Sequence, residues 1–161
     1  MTTILLAIDV APGRPLSHVS RAIEMTARLA RDETDRVIVL HVRNFAVGRL
    51  ARTMRDRGGA PGLNAVRLVV AGLRSRRIQA SGLVREADNG YVAQTILGAA
   101  AEFGADVIVL GAREHTGLPR VPFDMATHLL HLSTLPVLIV PPGSVTPAFA
   151  VVAPTASASS R

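Results

Sequence analysis

The chain has 161 residues, enough for one domain with a full core, and at 48% hydrophobic residues it is too apolar for a disordered polypeptide. It contains no Cys, which excludes disulfides, thiolate metal sites and cysteine nucleophiles. The formal charge is +6 and all 18 basic residues are arginine, so Schiff-base and Walker-type lysine chemistry is excluded too.

The positive charge attracts anions in general. Aromatic residues, at 3%, leave few stacking platforms for a nucleic acid, which is therefore not the expected partner. The start, MTTILLAIDV, has no basic leader and too short an apolar stretch for a signal peptide or membrane span. No later run reaches membrane length, and the expected location is cytoplasmic.

Residues 3–10 form a short apolar run that takes in Asp9, the pattern of a buried parallel strand. Pro12, Gly13 and Pro15 break it. Ser17 is placed to cap a helix in which Val19, Ala22, Ile23, Thr26, Leu29 and Ala30 recur at helical spacing. Residues 36–42, RVIVLHV, give a second strand that carries His41, read as a satisfied core or crevice histidine. A Gly- and Arg-rich connection follows, to about residue 62. From 63 to 77 helical spacing returns in Val66, Val69, Val70 and Leu73. Arg74, Arg76 and Arg77 end that helix, where cations suit its dipole. With Arg49, Arg52, Arg55 and Arg57 of the preceding loop they read as mostly solvated.

Residues 78–87 are a more polar strand suited to a sheet edge, closed by Asn89-Gly90. Residues 91–103 predict a helix with Val92, Ile96, Ala99, Ala100 and Phe103 on one face and Gly104 as its C-cap. Strands at 107–110 and 137–140 flank a helix at 124–132, on which His128 and His131 share a solvated face rather than a metal site. The remainder is rich in Pro, Ala and Ser. The expected division is a domain at 1–141 and a mobile tail at 142–161.

Strands and helices therefore alternate. That order requires an open, doubly wound α/β fold, a parallel sheet with helices on both faces. Such sheets bind ligands beyond the carboxyl ends of the strands, where the strand order reverses. With the first strand central, Asp9 comes beside Gly111 at one crevice.

Four segments, taken in order, resemble the universal stress proteins: ILLAIDV, VIVLHV, GYVAQTILGAAAEFGADVIVLGA and TLPVLIVPP. The resemblance implies a five-stranded sheet of order 3-2-1-4-5, an adenine nucleotide alpha hydrolase-like fold, and a homodimer. Family members that bind ATP carry Gly, two residues, Gly, nine residues, then Gly and Ser or Thr. Here the spacing is kept, with Gly111 at the first position, but Glu114 and Asp124 replace the other glycines and Met125 replaces the hydroxyl residue. The resemblance also implies that Asp9 lies near the ribose and adenine, that Ala7, Ile8 and Val42 surround the base, and that Leu110, Arg113, Ala126 and Thr127 line the same loop and helix start.

The substitutions bear on phosphate binding directly. Glycines let backbone N–H groups turn towards phosphate oxygens and let the phosphates come close. A carboxylate about 4 Å from a phosphate charge costs roughly 1 kcal/mol in water and about 4 kcal/mol at an effective dielectric of 20. Two such carboxylates remove about two to four decades of affinity for a triphosphate. Bland readings stand beside this one: Asp124 as a helix N-cap, Glu114 as a solvated loop residue, and Asp9 as a partner for a nearby helix N-terminus.

No catalytic set is evident, because Ser133 and Ser144 lack the flanking glycines of a nucleophile elbow. The expected function is a stress-response binding or regulatory module, not an enzyme, with no tightly bound cofactor and weak or absent ATP or AMP binding. The alternatives are a slow Mg-dependent ATPase using Glu114 or Asp124, and an Arg-rich accessory protein for anions or nucleic acid. A regulatory protein partner fits the first reading, and no membrane partner is expected. The last strand, Pro136, Val137, Leu138, Ile139 and Val140, is an uncharged edge and the expected dimer contact.

Overall fold

The computed structural model describes residues 1–10, 16–45, 59–88, 90–111 and 125–141. Five parallel strands are present: β1 (Thr3–Ile8), β2 (Arg36–Phe45), β3 (Gln79–Asp88), β4 (Val107–Gly111) and β5 (Val137–Val140). Their order is β3-β2-β1-β4-β5, as the resemblance implied. The helices are α1 (Ser20–Leu29), α2 (Gly59–Ser75), α3 (Val92–Glu102) and α4 (Met125–Leu132), and a 3₁₀ turn at Leu16–Val19 leads into α1.

Strand parity divides the core into two layers. Ile4, Leu6, Ile8, Val37, Val39 and Val109 pack with Val19, Ala22 and Ile23 of the α1 region and with Val66, Val69 and Leu73 of α2. Leu5, Ala7, Ile38, Leu40, Ile108 and Leu110 pack on the other face with Ala93, Ile96 and Ala100 of α3 and Leu129 of α4. β1 is buried at all six positions because it has a strand on each side and helices on both faces. β3 lies at one edge and is mostly exposed or half-buried, as its more polar sequence suggested. There Gly82 lets α2 sit close, since a Cβ at this position would run into Cγ1 of Val66.

The helix ends follow local chemistry. Gly104 has φ +60 and closes α3 in a Schellman motif, its N–H bonding the Ala101 carbonyl at 3.2 Å and that of Ala105 the Ala100 carbonyl at 2.8 Å. α2 ends in the same motif with Arg77 in the left-handed position, φ 64. Ser17 is not the cap of α1. The chain first makes the 3₁₀ turn, the cap position falls on Val19, and no side-chain hydrogen bond caps the helix. Arg74 and Arg76 are not merely solvated either: Nε of Arg74 bonds the Ala80 carbonyl at 2.8 Å, and Arg76 meets Glu24 of α1 at 2.7 Å. β2 runs three residues beyond the predicted 36–42 because β3 pairs with it through Phe45.

The amino-terminal end of the sheet is tied by two carboxylates. Asp35, just before β2, accepts the Thr2 N–H at 2.6 Å and the Asp32 N–H at 3.0 Å. Asp106, just before β4, accepts the Thr3 N–H at 2.7 Å. The exchange is reciprocal, with Thr2 and Thr3 carbonyls accepting the N–H groups of Arg36 and Asp106 at 2.8 Å each. The N–H of Asp32, followed by that of Thr2, holds the Asp35 carboxyl below its ordinary value of 3.8.

Candidate functional site at the carboxyl end of β1 and β4

Leu83, Leu40, Ala7, Leu110 and Ile139 form one row across all five strands, on the face covered by α3 and α4. One residue further on, Ile8 pairs with His41 and Gly111 with Val140. The Ala7–Leu110 pairing makes Gly111 level with Ile8, so Asp9 follows directly beside it. This is the reversal point of the sheet, and the helices that follow β1 and β4 in the chain, α1 and α4, pack on opposite faces.

The predicted site residues divide by what their side chains are committed to. Ile8, at 4% exposure, belongs to the core under α1 and α2, and Leu110, at 1%, to the core under α3 and α4. Each therefore offers the crevice backbone more than side chain. Ala7 is buried in the α3–α4 core, and Val42, half-buried, packs against that core at the level of Asp9. Met125 and Ala126, in the first turn of α4, pack on the cluster containing Ala7 and Leu110, while Thr127 is exposed. The structure thus brings Ala7, Ile8, Asp9, Val42, Leu110, Gly111, Met125 and Ala126 to one end of the sheet. Arg113, Glu114 and Asp124 lie outside the described residues, as do the residue 142–161 tail and the arginines at 49, 52, 55 and 57. α4 begins at Met125, one residue after the predicted start.

Two contacts were not legible in the sequence. A Cβ on Gly111 would lie 3.3 Å from Cγ1 of Val19 and 3.6 Å from the Cβ of Ala22. The glycine is therefore used to seat the start of α1, whatever its part in ligand binding. The second contact involves His41, which is buried as expected. Its Nδ1 lies 3.2 Å from the Ile8 carbonyl oxygen. A carbonyl only accepts, so Nδ1 carries the proton in this bond. The other side of the ring faces Gly62 in the first turns of α2, where a Cβ would stand 2.7 Å from Nε2. Glycine at 62 is the sequence trace of that contact, but its partner is 21 positions away on another element.

Among the described residues no group of three or more His, Asp or Glu is placed to hold a metal ion. No helix among them is long and apolar enough to cross a membrane. His128 is half-buried and His131 exposed on α4.

A sequence profile described as the Universal stress protein family matches residues 1–141. The chain belongs to that family. Among solved structures it is similar to a universal stress protein family member from Burkholderia pseudomallei, at 24% identity and a TM-score of 0.68, covering 88% of this chain and 96% of that one. It is similar to the Archaeoglobus fulgidus universal stress protein in complex with dAMP, at 19% identity, TM-score 0.64, with 86% and 97% covered. A third is an Arabidopsis thaliana family member with AMP bound, at 16% identity, TM-score 0.65, with 89% and 94% covered. At these identities the likeness shows the fold, which is adenine nucleotide alpha hydrolase-like. No curated protein matches the chain by sequence.

Proposed function

We propose that this universal stress protein is a stress-response binding and regulatory module, not an enzyme, whose crevice holds ATP weakly or not at all. One observation carries the reading. The base end of the crevice keeps its apolar frame and Asp9, while the three motif positions that serve the phosphates are Glu114, Asp124 and Met125. The nucleotides bound to the Archaeoglobus and Arabidopsis relatives, dAMP and AMP, carry a single phosphate. They support a weak monophosphate ligand here more readily than a triphosphate, because fewer anionic oxygens meet the two carboxylates.

Titration calorimetry with ATP, ADP and AMP tests this, together with assay of any nucleotide released on denaturing the purified protein. The expected result is no ATP affinity tighter than roughly 10 μM. Sub-micromolar ATP binding overturns the reading. Restoring Glu114→Gly, Asp124→Gly and Met125→Ser together is expected to raise ATP affinity by about two to four decades. A folded triple variant that binds no better removes the loop as the cause.

The same proposal includes a cytoplasmic domain over residues 1–141 and a homodimer through β5. β5 is the outer strand next to β4, and its Val137, Leu138 and Ile139 are only half-buried. Light scattering is expected to give a dimer mass, lost when Leu138→Lys places a charge on that edge.

A further inference from the structure

α1 and α2 lie on the same face of the sheet and are joined by the Arg76–Glu24 ion pair. Their outer surfaces carry exposed arginines at 21, 28, 67 and 74, with Arg31 and Arg77 just past the helix ends. On each helix the two arginines are seven residues apart, two turns, so each pair lies on one stripe about 10 Å long. The opposite face differs sharply: α3 and α4 contain no arginine, and Glu102 is their one acidic residue. The positive charge carried by the helices is therefore gathered on one side of the molecule.

The chemistry of that side is mixed. Leu29, Leu63 and Leu68 on the same two helices are 40%, 40% and 49% exposed. Glu24, half-buried between the helices, and the exposed Asp32 and Glu33 interrupt the positive surface. Among the described residues, Arg21 and Arg67 have no carboxylate partner.

A continuous polyphosphate meets the three acids unfavourably and gains nothing from the leucines. Neither helix carries an aromatic residue on which a base would stack. A protein segment can space its carboxylates to meet the arginines and stay clear of the three acids, with apolar side chains over the leucines. Carboxylates pair with guanidinium groups in bidentate fashion, and apolar side chains cover the leucines. We infer that the outer face of α1 and α2 is the docking surface for an acidic, leucine-bearing helix of a partner protein. The inference does not depend on what the crevice binds.

Fluorescence anisotropy on the full chain tests it with a labelled helical peptide of Glu and Leu, an all-Glu peptide of equal length and a labelled DNA duplex. Sedimentation with phosphatidylserine–phosphatidylcholine vesicles forms a fourth arm. The Glu/Leu peptide is expected to bind most tightly, and Arg21→Glu with Arg67→Glu to weaken it about tenfold or more. Leu63→Ser with Leu68→Ser is expected to weaken the Glu/Leu peptide while leaving the all-Glu peptide unchanged. All four positions named for charge or polarity change are exposed, and circular dichroism checks that each variant stays folded. Tighter binding of the duplex or the vesicles than of the peptide overturns the inference. So do equal binding of the two peptides, indifference to the charge reversals, and absence of binding in all four arms.

Discussion

At the amino end of the sheet, Asp35 and Asp106 stand directly before β2 and β4; Asp106 accepts the N–H of Thr3, the first residue of the central β1, and Asp35 that of Thr2 just before it. At the carboxyl end, the same three strands are spaced by Gly111 under Val19, Gly62 beside His41, and the His41 bond to the Ile8 carbonyl. One end uses charged side chains to lock the backbone. The other uses small residues and one histidine to set how closely α1 and α2 approach. The difference shows how a doubly wound fold separates its tasks. Register is secured where the strands begin, so the ends where ligands bind can vary in sequence without loss of the fold.

The largest expected effect breaks the carboxyl end. Gly62→Val forces a branched side chain against the His41 ring and is expected to cost about 1–3 kcal/mol in denaturant unfolding. His41→Ala in the same chain should return part of that loss, giving a coupling measurable in a double-mutant cycle. Strict additivity would mean that the ring and the helix do not meet as described.

Asp106→Ala comes next. It leaves the Thr3 N–H without its partner, at an expected cost of about 1–2 kcal/mol in denaturant unfolding. A cost below about 0.5 kcal/mol would remove the Asp106 clasp from the account.

The smallest effect concerns acid. Asp35 and Glu24 both have carboxyls held below their ordinary values, Asp35 by backbone N–H groups and Glu24 by the hydrogen bond from Arg76. A carboxyl lowered in the folded state contributes stability that is complete above the unfolded value, about 4, and is lost as pH falls through the folded value. Melting temperature is therefore expected to fall below about pH 4, with a shallower fall in Asp35→Asn. An unchanged acid slope in that variant would remove the Asp35 clasp from the account.

Much of the fold was legible because its signals are local. Aliphatic runs such as ILLAI and RVIVLHV demand burial on both faces, and their alternation with helical spacing demands parallel strands. Gly104 announced the end of α3 because a left-handed position closes a Schellman motif, and the arginines at 74, 76 and 77 marked the end of α2 by their charge, though nothing in the sequence showed that Arg77 takes the left-handed position. Ser17 misled because a hydroxyl near a helix start is a common cap, yet the 3₁₀ turn shifted the start to Ser20. In the site, the sequence correctly brought Asp9 beside Gly111. It did not reveal that Ile8 and Leu110 are spent on opposite cores.

Taken alone, the sequence determined composition, strand-helix order and family membership, all of which depend on residue type and spacing along the chain. Tertiary structure alone decided that Asp35 and Asp106 clasp β1, that Gly62 is small for the sake of His41, and that the helix arginines gather on one face. Each of those depends on which residues distant in the chain are brought together, and only the packing of helices on a sheet settles that.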